Sequence, residues 1–589
     1  MDIFTLYTEN LIPLLCIQVV VFLLLFFLNM ETFKREFRNV DKRYLIFLAA
    51  LVFMMLALYS NTTGYEGDWK FWPMSVAKDF SMGKTNLYFM DPSTVKGRVE
   101  GRDPYPWGPL TPFLLGIFYS ILGISSGTVY LFYGTVLALS MISFFFLGYI
   151  LFRDGKVSIL LVSLFCMVFH ESFLGGSLAE FDFVLHLFVS MSLLFSLMAY
   201  KTNKHAMYML SVISILFAAE IRFELLVLFP VFLTGLFLYR VKDMKRVKEF
   251  WLKGIAPAML LFFVFLPVIL THGFSHHFWS HNERVFGQFW GNSIFPSIPE
   301  GAGITMDGFL YFWTHNLFLF LTPLVLIGLF LSLKNKKYRK VAILLLLLFL
   351  LHNYVFFKWD NGYEEKYAFA SAVPYVLFAG LGINGIVNFK EKPKFIKVGT
   401  ILIGIYLVCV WGVLFSGFLY DKKTSDPLDT SDFEEDVKSI QNYITGEKPN
   451  ILMISSGLST SYKFEFLTLY STLDFFKYIS DNFLIGKYLG GENEFGINFQ
   501  RGGFYFNSSL EEVQSRVSEL SMNLTLECIM NNKTIQEIIK DTLLTNNTYA
   551  VYDKCGCCES EIAHKILTNV FNTEILYEGE CLRLYHLSS

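Results

Sequence analysis

The sequence predicts a polytopic α-helical membrane protein of about twelve or thirteen transmembrane segments, ending in an extracytoplasmic α/β domain. Three observations carry that expectation. Hydrophobic residues fill 54% of the 589 positions and aromatic residues 18%, while charged residues make up only 17%, against roughly 25% in soluble domains. Apolar stretches recur from residue 11 to residue 418, and a single soluble core does not require repeated runs of about 20 such residues. Beyond about residue 420 the chain turns polar and holds five of its eight cysteines. The 48 basic and 51 acidic residues nearly cancel, so no global excess points to a nucleic-acid partner, and the location of charge matters more than its sum.

Candidate spans lie at 11–29, 44–60, 110–124, 128–152, 157–170, 178–200, 206–220, 222–240, 254–271, 309–333, 340–357, 367–387 and 396–418. The first lacks a basic n-region and a small-residue cleavage site and follows Asp2 and Glu9, so it is expected to be a retained helix with its N-terminus outside. Together with the following basic loop it forms an N-terminal extension, residues 1–43, to a transmembrane domain of residues 44–419.

Basic residues gather in four short loops: Lys34 to Arg43, Arg240 to Lys248, Lys334 to Lys340, and Lys390 to Lys397. The positive-inside rule places all four in the cytoplasm. Seven candidate segments separate the first two loops, and an odd number cannot join two points on one side of a membrane. Segment 110–124 is short, opens on Gly108-Pro109 and contains Pro112 and Gly116, so it is expected to dip into the membrane and return. Loops 61–109, 272–308 and 358–366 then face outward, as does the tail, residues 420–589.

Independent features of the tail agree with that side. Sequons occur at Asn507, Asn523, Asn532 and Asn546, with another at Asn61 in the first outer loop. Cys528, Cys555, Cys557, Cys558 and Cys581 cluster near the end, which suggests disulfides in an oxidising compartment; a zinc site at Cys-Gly-Cys-Cys is the rival. Short apolar runs such as 450–454 alternate with helical patterns near 432–445 and 532–544, the pattern of a small α/β domain. The tail has no phosphate loop and no Ser/His/Asp signature, and reads as accessory.

Ionisable groups near a membrane are costly unless paired or hydrated, so they mark function. Four clusters qualify. Glu66 and Asp68, beside Trp69, could supply a general base at the outer surface, or simply cap the amphipathic stretch 69–80. His170 and Glu171, with Glu180 and Asp182, stand at the outer ends of two spans, as site residues or as solvated caps. Arg222 interrupts an apolar run between Glu220 and Glu224; it could grip a lipid phosphate bidentately, or pair with either glutamate. The fourth cluster joins His272, His276, His277, His281 and Arg284 with Lys358, Asp360, Glu364, Glu365, Lys366 and Tyr367. His277 and His281 have helical metal-pair spacing without a clear third ligand, so headgroup contact competes with zinc there.

Asp68-Trp69-Lys70-Phe71-Trp72, then Ala77, Gly83 and Leu87-Tyr88, and later Tyr105-Pro106-Trp107-Gly108-Pro109-Leu110, resemble the acidic first outer loop of polyprenol-phosphate-mannose-dependent mannosyltransferases. These belong to the GT-C superfamily of integral-membrane glycosyltransferases. In that pattern an Asp is followed by Ala, Gly, Leu-Tyr and Tyr-Pro-Pro-Leu; here Trp107-Gly108 departs from it. Asp182 and the stretch from Arg222 to Pro230 resemble later family elements. The resemblance covers roughly residues 44–390 and leaves out the first helix and the tail.

What the resemblance implies is inverting transfer of a sugar, mannose favoured, from a polyprenyl-phosphate donor lipid to a glycan, lipid or protein acceptor on the outer face. Asp68 would be the general base, with Glu66 and Asp182 as the other catalytic acids. Arg222, Lys358 or Lys366 would stabilise the departing phosphate, assisted by His281 or Arg284; His170, Glu171 and Tyr367 complete the expected substrate-binding set. No cofactor is firmly implied, although Glu66 and Asp68 could hold a divalent cation. A lipid-linked-glycan flippase or secondary transporter is the rival function; it would show inverted repeats and mid-bilayer polar groups. A Lys-, Asn-, Ile- and Phe-rich composition with short loops favours a plasma membrane, archaeal, over an endoplasmic reticulum.

Overall fold

The structure is a computed structural model that describes residues 10–60, 71–85, 88–90, 102–104, 108–174, 182–202, 204–221, 316–336, 338–357, 365–387, 430–445, 450–454, 515–520, 531–544, 548–554, 564 and 567–588, with isolated residues 256, 405 and 412. In chain order the elements begin with α1 (Leu11–Leu28), α2 (Met30–Phe37), α3 (Lys42–Ser60), α4 (Phe71–Ser81), β1 (Tyr88–Met90), β2 (Arg102–Pro104), α5 (Leu110–Leu122) and α6 (Ser126–Phe152). They continue with α7 (Gly155–Leu174), α8 (Asp182–Thr202), α9 (His205–Ile221), α10 (Asn316–Lys334), α11 (Arg339–Phe357) and α12 (Glu365–Val387). The tail contributes α13 (Thr430–Ile440), β3 (Asn450–Ile454), α14 (Lys533–Leu543), β4 (Thr548–Asp553), β5 (Asn572–Glu578) and β6 (Leu582–Ser588). The chain forms two compact units: Met1–Glu66, Pro106–Leu115 and Val129–Pro427 make the first, and Gly67–Tyr105, Gly116–Thr128 and Leu428–Ser589 the second.

Helices occupy the expected spans, with the 309–333 segment described from Asn316; the spans expected at 222–240, 254–271 and 396–418 lie outside the described residues. Among the described residues, Leu11–Leu28, Ser126–Phe152 and Val184–Thr202 are each long and apolar enough to cross a membrane unaided. In α1 the buried stripe is Leu11, Leu15, Gln18 and Phe22, the three-and-four spacing of one helical face. Ile17, Val20, Leu24 and Phe27 point away from the bundle, an apolar outer surface suited to lipid.

Because lipid is as apolar as the helix surfaces, association in the first unit relies on close packing and interhelical hydrogen bonds. Ser196 Oγ meets Ser211 Oγ at 2.7 Å, and Ser211 Oγ donates to the Ser192 carbonyl at 2.8 Å, joining α8 to α9 through buried hydroxyls. Small residues let α10 and α12 touch backbone to backbone: a Cβ at Gly328 would overlap the Phe378 carbonyl, and one at Gly382 the Leu324 carbonyl. Phe144 stacks on Phe165 at 4.1 Å between α6 and α7.

Several helix ends meet at one end of this bundle. Arg153, left-handed at φ 58° in the tight α6–α7 turn, donates to Glu36 Oε2 at 2.5 Å and to the Glu36 carbonyl at 3.0 Å. That double anchor on α2 helps hold a conformation rare for a residue with a Cβ. Asp154 then caps α7, accepting from the Lys156 and Val157 amides at 2.8 and 3.4 Å. Lys204 Nζ reaches Thr32 Oγ1 at 2.5 Å, and Phe152 contacts the Tyr338 ring at 6.4 Å. The basic loop of residues 34–43 therefore shares its end of the bundle with the α6–α7, α8–α9 and α10–α11 turns.

In the second unit, a four-stranded sheet has the order β3-β4-β6-β5, with β3 parallel to β4 and the other pairs antiparallel. The expected helices near 432–445 and 532–544 and the strand at 450–454 are present as α13, α14 and β3. Asn532 Oδ1 accepts from the Thr534 and Ile535 amides at 3.0 and 3.4 Å, so this sequon also serves as the α14 N-cap. Asp436, buried on α13, clamps the β5–β6 turn: it accepts from Tyr577 Oη at 2.7 Å and from the Cys581 and Leu582 amides at 2.8 and 2.9 Å. A Cβ at Gly579 would overlap its carboxylate. Asp436→Ala strands two amides and a phenol, and should cost about 2–4 kcal/mol; thermal melting of the full chain checks this, with proteolysis expected to begin in the tail.

Glu578, bound by Arg583 Nη2 at 2.5 Å and by Lys554 Nζ at 2.9 Å, is pulled down to about 2, mainly by its hydrogen bonds to the Arg583 guanidinium. The pair supports the folded state above the ordinary carboxylate range and loses that support as pH falls towards 2. Solvent exposure keeps the contribution below about 1 kcal/mol. Cys581 lies in this turn, whereas Cys528, Cys555, Cys557 and Cys558 lie outside the described residues.

Candidate functional site

Helix direction sorts the polar clusters. In the first unit, α9 starts beside the Lys204–Thr32 contact and runs to Ile221 at the opposite end of the bundle. By the same logic α7 finishes at that opposite end, carrying His170 and Glu171 in its last turns, and α8 starts there at Asp182. Lys366 and Tyr367 lie in the first turn of α12, whose Gly380, further along, packs against Leu161 and Phe152. The backbone thus gathers His170, Glu171, Asp182, Glu220, Lys366 and Tyr367 at one end of the bundle. Glu66, Asp68, Arg222, His281, Arg284 and Lys358 lie outside the described residues.

At the same end the chain re-enters the bundle through Gly108. Its amide donates to the Ile221 carbonyl at 3.1 Å, and a Cβ would overlap the Glu220 carbonyl oxygen and carbon. Only glycine lets these two backbones lie in contact. Pro109 follows, at the position before α5 where a missing N–H costs nothing. The glycine at 108, part of the departure from Tyr-Pro-Pro-Leu, is therefore a packing requirement of this chain.

Glu220 itself is 1% exposed and Gln18, across from it on α1, is fully buried. None of the four polar atoms of the two side chains has a hydrogen-bond partner among the described residues. Below them Phe22 meets Phe217 edge-on at 5.6 Å, which fixes the register of the two helices. In the sequence Arg222 is offered either to a phosphate or to Glu220 or Glu224, and the only sign of Gln18 is that it is a lone polar residue in the apolar stripe 11, 15, 18, 22.

In the second unit, the motif residues after Asp68 acquire structural roles. Ala77 is fully buried on α4, where Gly116 of α5 approaches so closely that a Cβ would sit 3.0 Å from its carbonyl. Gly83, at φ 73°, ends α4 in a Schellman motif: its amide donates to Phe80 at 3.0 Å and that of Lys84 to Asp79 at 2.9 Å. Tyr88 pairs with Pro104 across the β1–β2 ladder. The helix expected at 69–80 is thus present as α4, beginning three residues after Asp68.

This combination of membrane helices and C-terminal sheet is a fold the chain shares with solved structures of ArnT. The solved structure of ArnT from Cupriavidus metallidurans bound to undecaprenyl phosphate superimposes with a TM-score of 0.54 at 11% identity, covering 93% of this chain and 98% of that one. Its apo state gives 0.51 at 10% identity, covering 92% and 98%. No protein-family model matches the sequence, and no curated protein matches it.

Proposed function

We propose that this protein is a membrane glycosyltransferase that moves a sugar from a polyprenyl-phosphate carrier to an acceptor hydroxyl on the outer face. The single observation that carries the reading is the likeness, over nearly the whole of both chains, to ArnT bound to undecaprenyl phosphate. The Asp68 motif, with its Ala77, Gly83 and Tyr88 each occupied structurally as above, supports it independently.

In this reading Asp68 takes the proton from the acceptor hydroxyl, whose oxygen attacks the anomeric carbon from the face opposite the phosphate. The carbon–oxygen bond to phosphate breaks, polyprenyl phosphate leaves with the electron pair, and the anomeric configuration inverts. Arg222 with Lys358 or Lys366 balances the charge that develops on the leaving phosphate; His281 or Arg284 assists. Asp182 is the further catalytic acid, His170, Glu171 and Tyr367 complete the substrate-binding set, and Glu66 orients the base or shares a divalent cation with it. Mannose is the favoured sugar on the motif resemblance.

Direction of the helices supports the outward-facing site. The basic loop of residues 34–43 sits at the opposite end of the bundle from Ile221, so a cytoplasmic placement of that loop puts the site outside. The same directions support a non-spanning α5. It has 13 residues, about 20 Å of helix against a hydrocarbon core of about 30 Å, and α6 must start at the site end to finish beside Glu36. The tail is then extracytoplasmic and the membrane is a plasma membrane, archaeal on composition.

The test offers radiolabelled polyprenyl-phosphate sugars, mannose among them, to the full-length protein in lipid nanodiscs and in sealed vesicles. Label should leave the donor lipid only when the protein is present. Movement of intact donor across the vesicle bilayer, with no release of sugar, would replace the transferase by a flippase.

A further inference from the structure

The mechanism above uses one end of the first unit, and the other end carries a cationic ridge with no role in it. Between α1 and α3 the surface changes chemistry abruptly. Leu28, the last residue of α1, is 79% exposed, and Ile46 and Phe47, in the second turn of α3, are 69% and 64% exposed. Such faces suit the acyl chains of a bilayer. Every exposed side chain between residues 29 and 44 is polar, and most are basic. The ridge therefore stands where the apolar surface stops, at the depth of lipid headgroups.

The inner side of α2 is spent on the bundle, which turns its cations outward. Phe33 and Phe37 lie 5.1 and 4.4 Å from the Phe146 ring of α6, Thr32 accepts from Lys204 Nζ at 2.5 Å, and Glu36 binds Arg153. All three acids of residues 31–43 are engaged: Glu31 with Lys34 at 3.4 Å, Asp41 with Arg43 at 2.8 Å, and Glu36 with Arg153. Five basic residues share the segment. Arg35, Arg38 and Lys42 thus keep charges that no carboxylate offsets among the described residues, and all three are exposed. Arg35 and Arg38 stand one helical turn apart, where side chains are neighbours, and Lys42 is the first residue of α3.

We infer that Arg35, Arg38 and Lys42 form a binding surface for the anionic headgroups of bilayer phospholipids. Guanidinium forks match phosphate oxygens bidentately, and an anionic lipid adds the net charge that a zwitterionic one lacks. The acyl chains of the same molecule cover the exposed faces of α1 and α3. One ligand thereby satisfies both surfaces, which a soluble acidic protein or a free phosphate does not. Headgroup contact at this end anchors the bundle at a set depth, and the inference stands apart from the sugar-transfer reading.

The experiment titrates the full-length protein, in neutral detergent micelles, with fluorescent phosphatidylglycerol and separately with fluorescent phosphatidylcholine. Native protein should bind the anionic probe about 100-fold more tightly at low salt, and most of that preference should vanish at about 0.5 M salt, where exposed charges are screened. Each neutralised cation should cost about fivefold. Arg35→Gln/Arg38→Gln/Lys42→Gln should abolish the preference, with phosphatidylcholine binding changed less than about twofold. Glu31→Gln/Lys34→Gln removes an ion pair from the same face without changing net charge, and should stay within about threefold of native.

Equal binding of the two probes by native protein overturns the proposal and leaves the ridge to a soluble acidic partner. A folded triple variant that keeps the native preference overturns it too, as does an equal loss in Glu31→Gln/Lys34→Gln, which would mark a general disturbance of the surface. If the triple variant does not fold, the single variants decide: a loss in at least two of the three supports the surface, and native preference in at least two overturns it.

Discussion

Asp68→Asn should lower sugar transfer by about 10²- to 10⁴-fold, the usual contribution of a positioned general base, while leaving donor-lipid binding and thermal stability near native. The substitution keeps the side chain's shape and removes its ability to take a proton, so a loss confined to kcat identifies the base. Three features make Asp68 the first choice. In sequence it follows α3 and precedes the start of α4 by three residues, and Ala77 of α4 is fully buried. It opens the motif whose later residues Gly83 and Tyr88 are held by a Schellman cap and a β-bridge. In the proposed topology its loop faces outward, where a polar acceptor arrives, while a lipid donor enters from the bilayer. Glu66→Gln, made in parallel, should cost much less if Glu66 only orients the base. Transfer at native rate by Asp68→Asn would pass the assignment to Asp182, at the start of α8.

How much of this was legible in the sequence depended on whether a signal was local. Apolar runs located the helices, because a membrane span is decided by its own residues. The α13, β3 and α14 segments were legible for the same reason, each having a period of its own. Gly83 could be read as a motif residue, yet its reason, a left-handed helix cap, appears only once α4 has an end. Long-range contacts left weaker marks. Asp436 looks like one acid among several in 432–436, and nothing near it announces a turn at Cys581 and Leu582, some 145 residues on. Gln18 is not legible in the sequence, because one amide in an apolar span resembles a tolerated exception, and for Glu220 the sequence offers only the neighbouring Arg222. The helix pairing that brings residue 18 to residue 220 is a property of packing, invisible to periodicity.

The second large effect is expected at Gly108. Gly108→Ala puts a methyl group into the Glu220 carbonyl, and the obstacle is backbone, which cannot swing aside as a flexible side chain would. Either α9 or the re-entering chain must move, and the Gly108–Ile221 hydrogen bond is lost with the move. Glu220 and the last turn of α9 shift with it, so donor turnover should fall by up to about 100-fold even where the protein still inserts. Gly127→Ala is the matched control. A Cβ there meets nothing nearer than Ser125 Oγ at 3.7 Å, and removing a helical glycine reduces the entropy lost on folding, so activity should hold and stability should not drop. Gly116→Ala falls between, its Cβ 3.0 Å from the Ala77 carbonyl, within reach of a shift of a few tenths of an ångström. Activity ordered Gly127→Ala, Gly116→Ala, Gly108→Ala, from highest to lowest, is what the packing requires. Native donor turnover by a folded Gly108→Ala would mean that the re-entry point can move without disturbing the site, and would separate Gly108 from the chemistry at the end of α9.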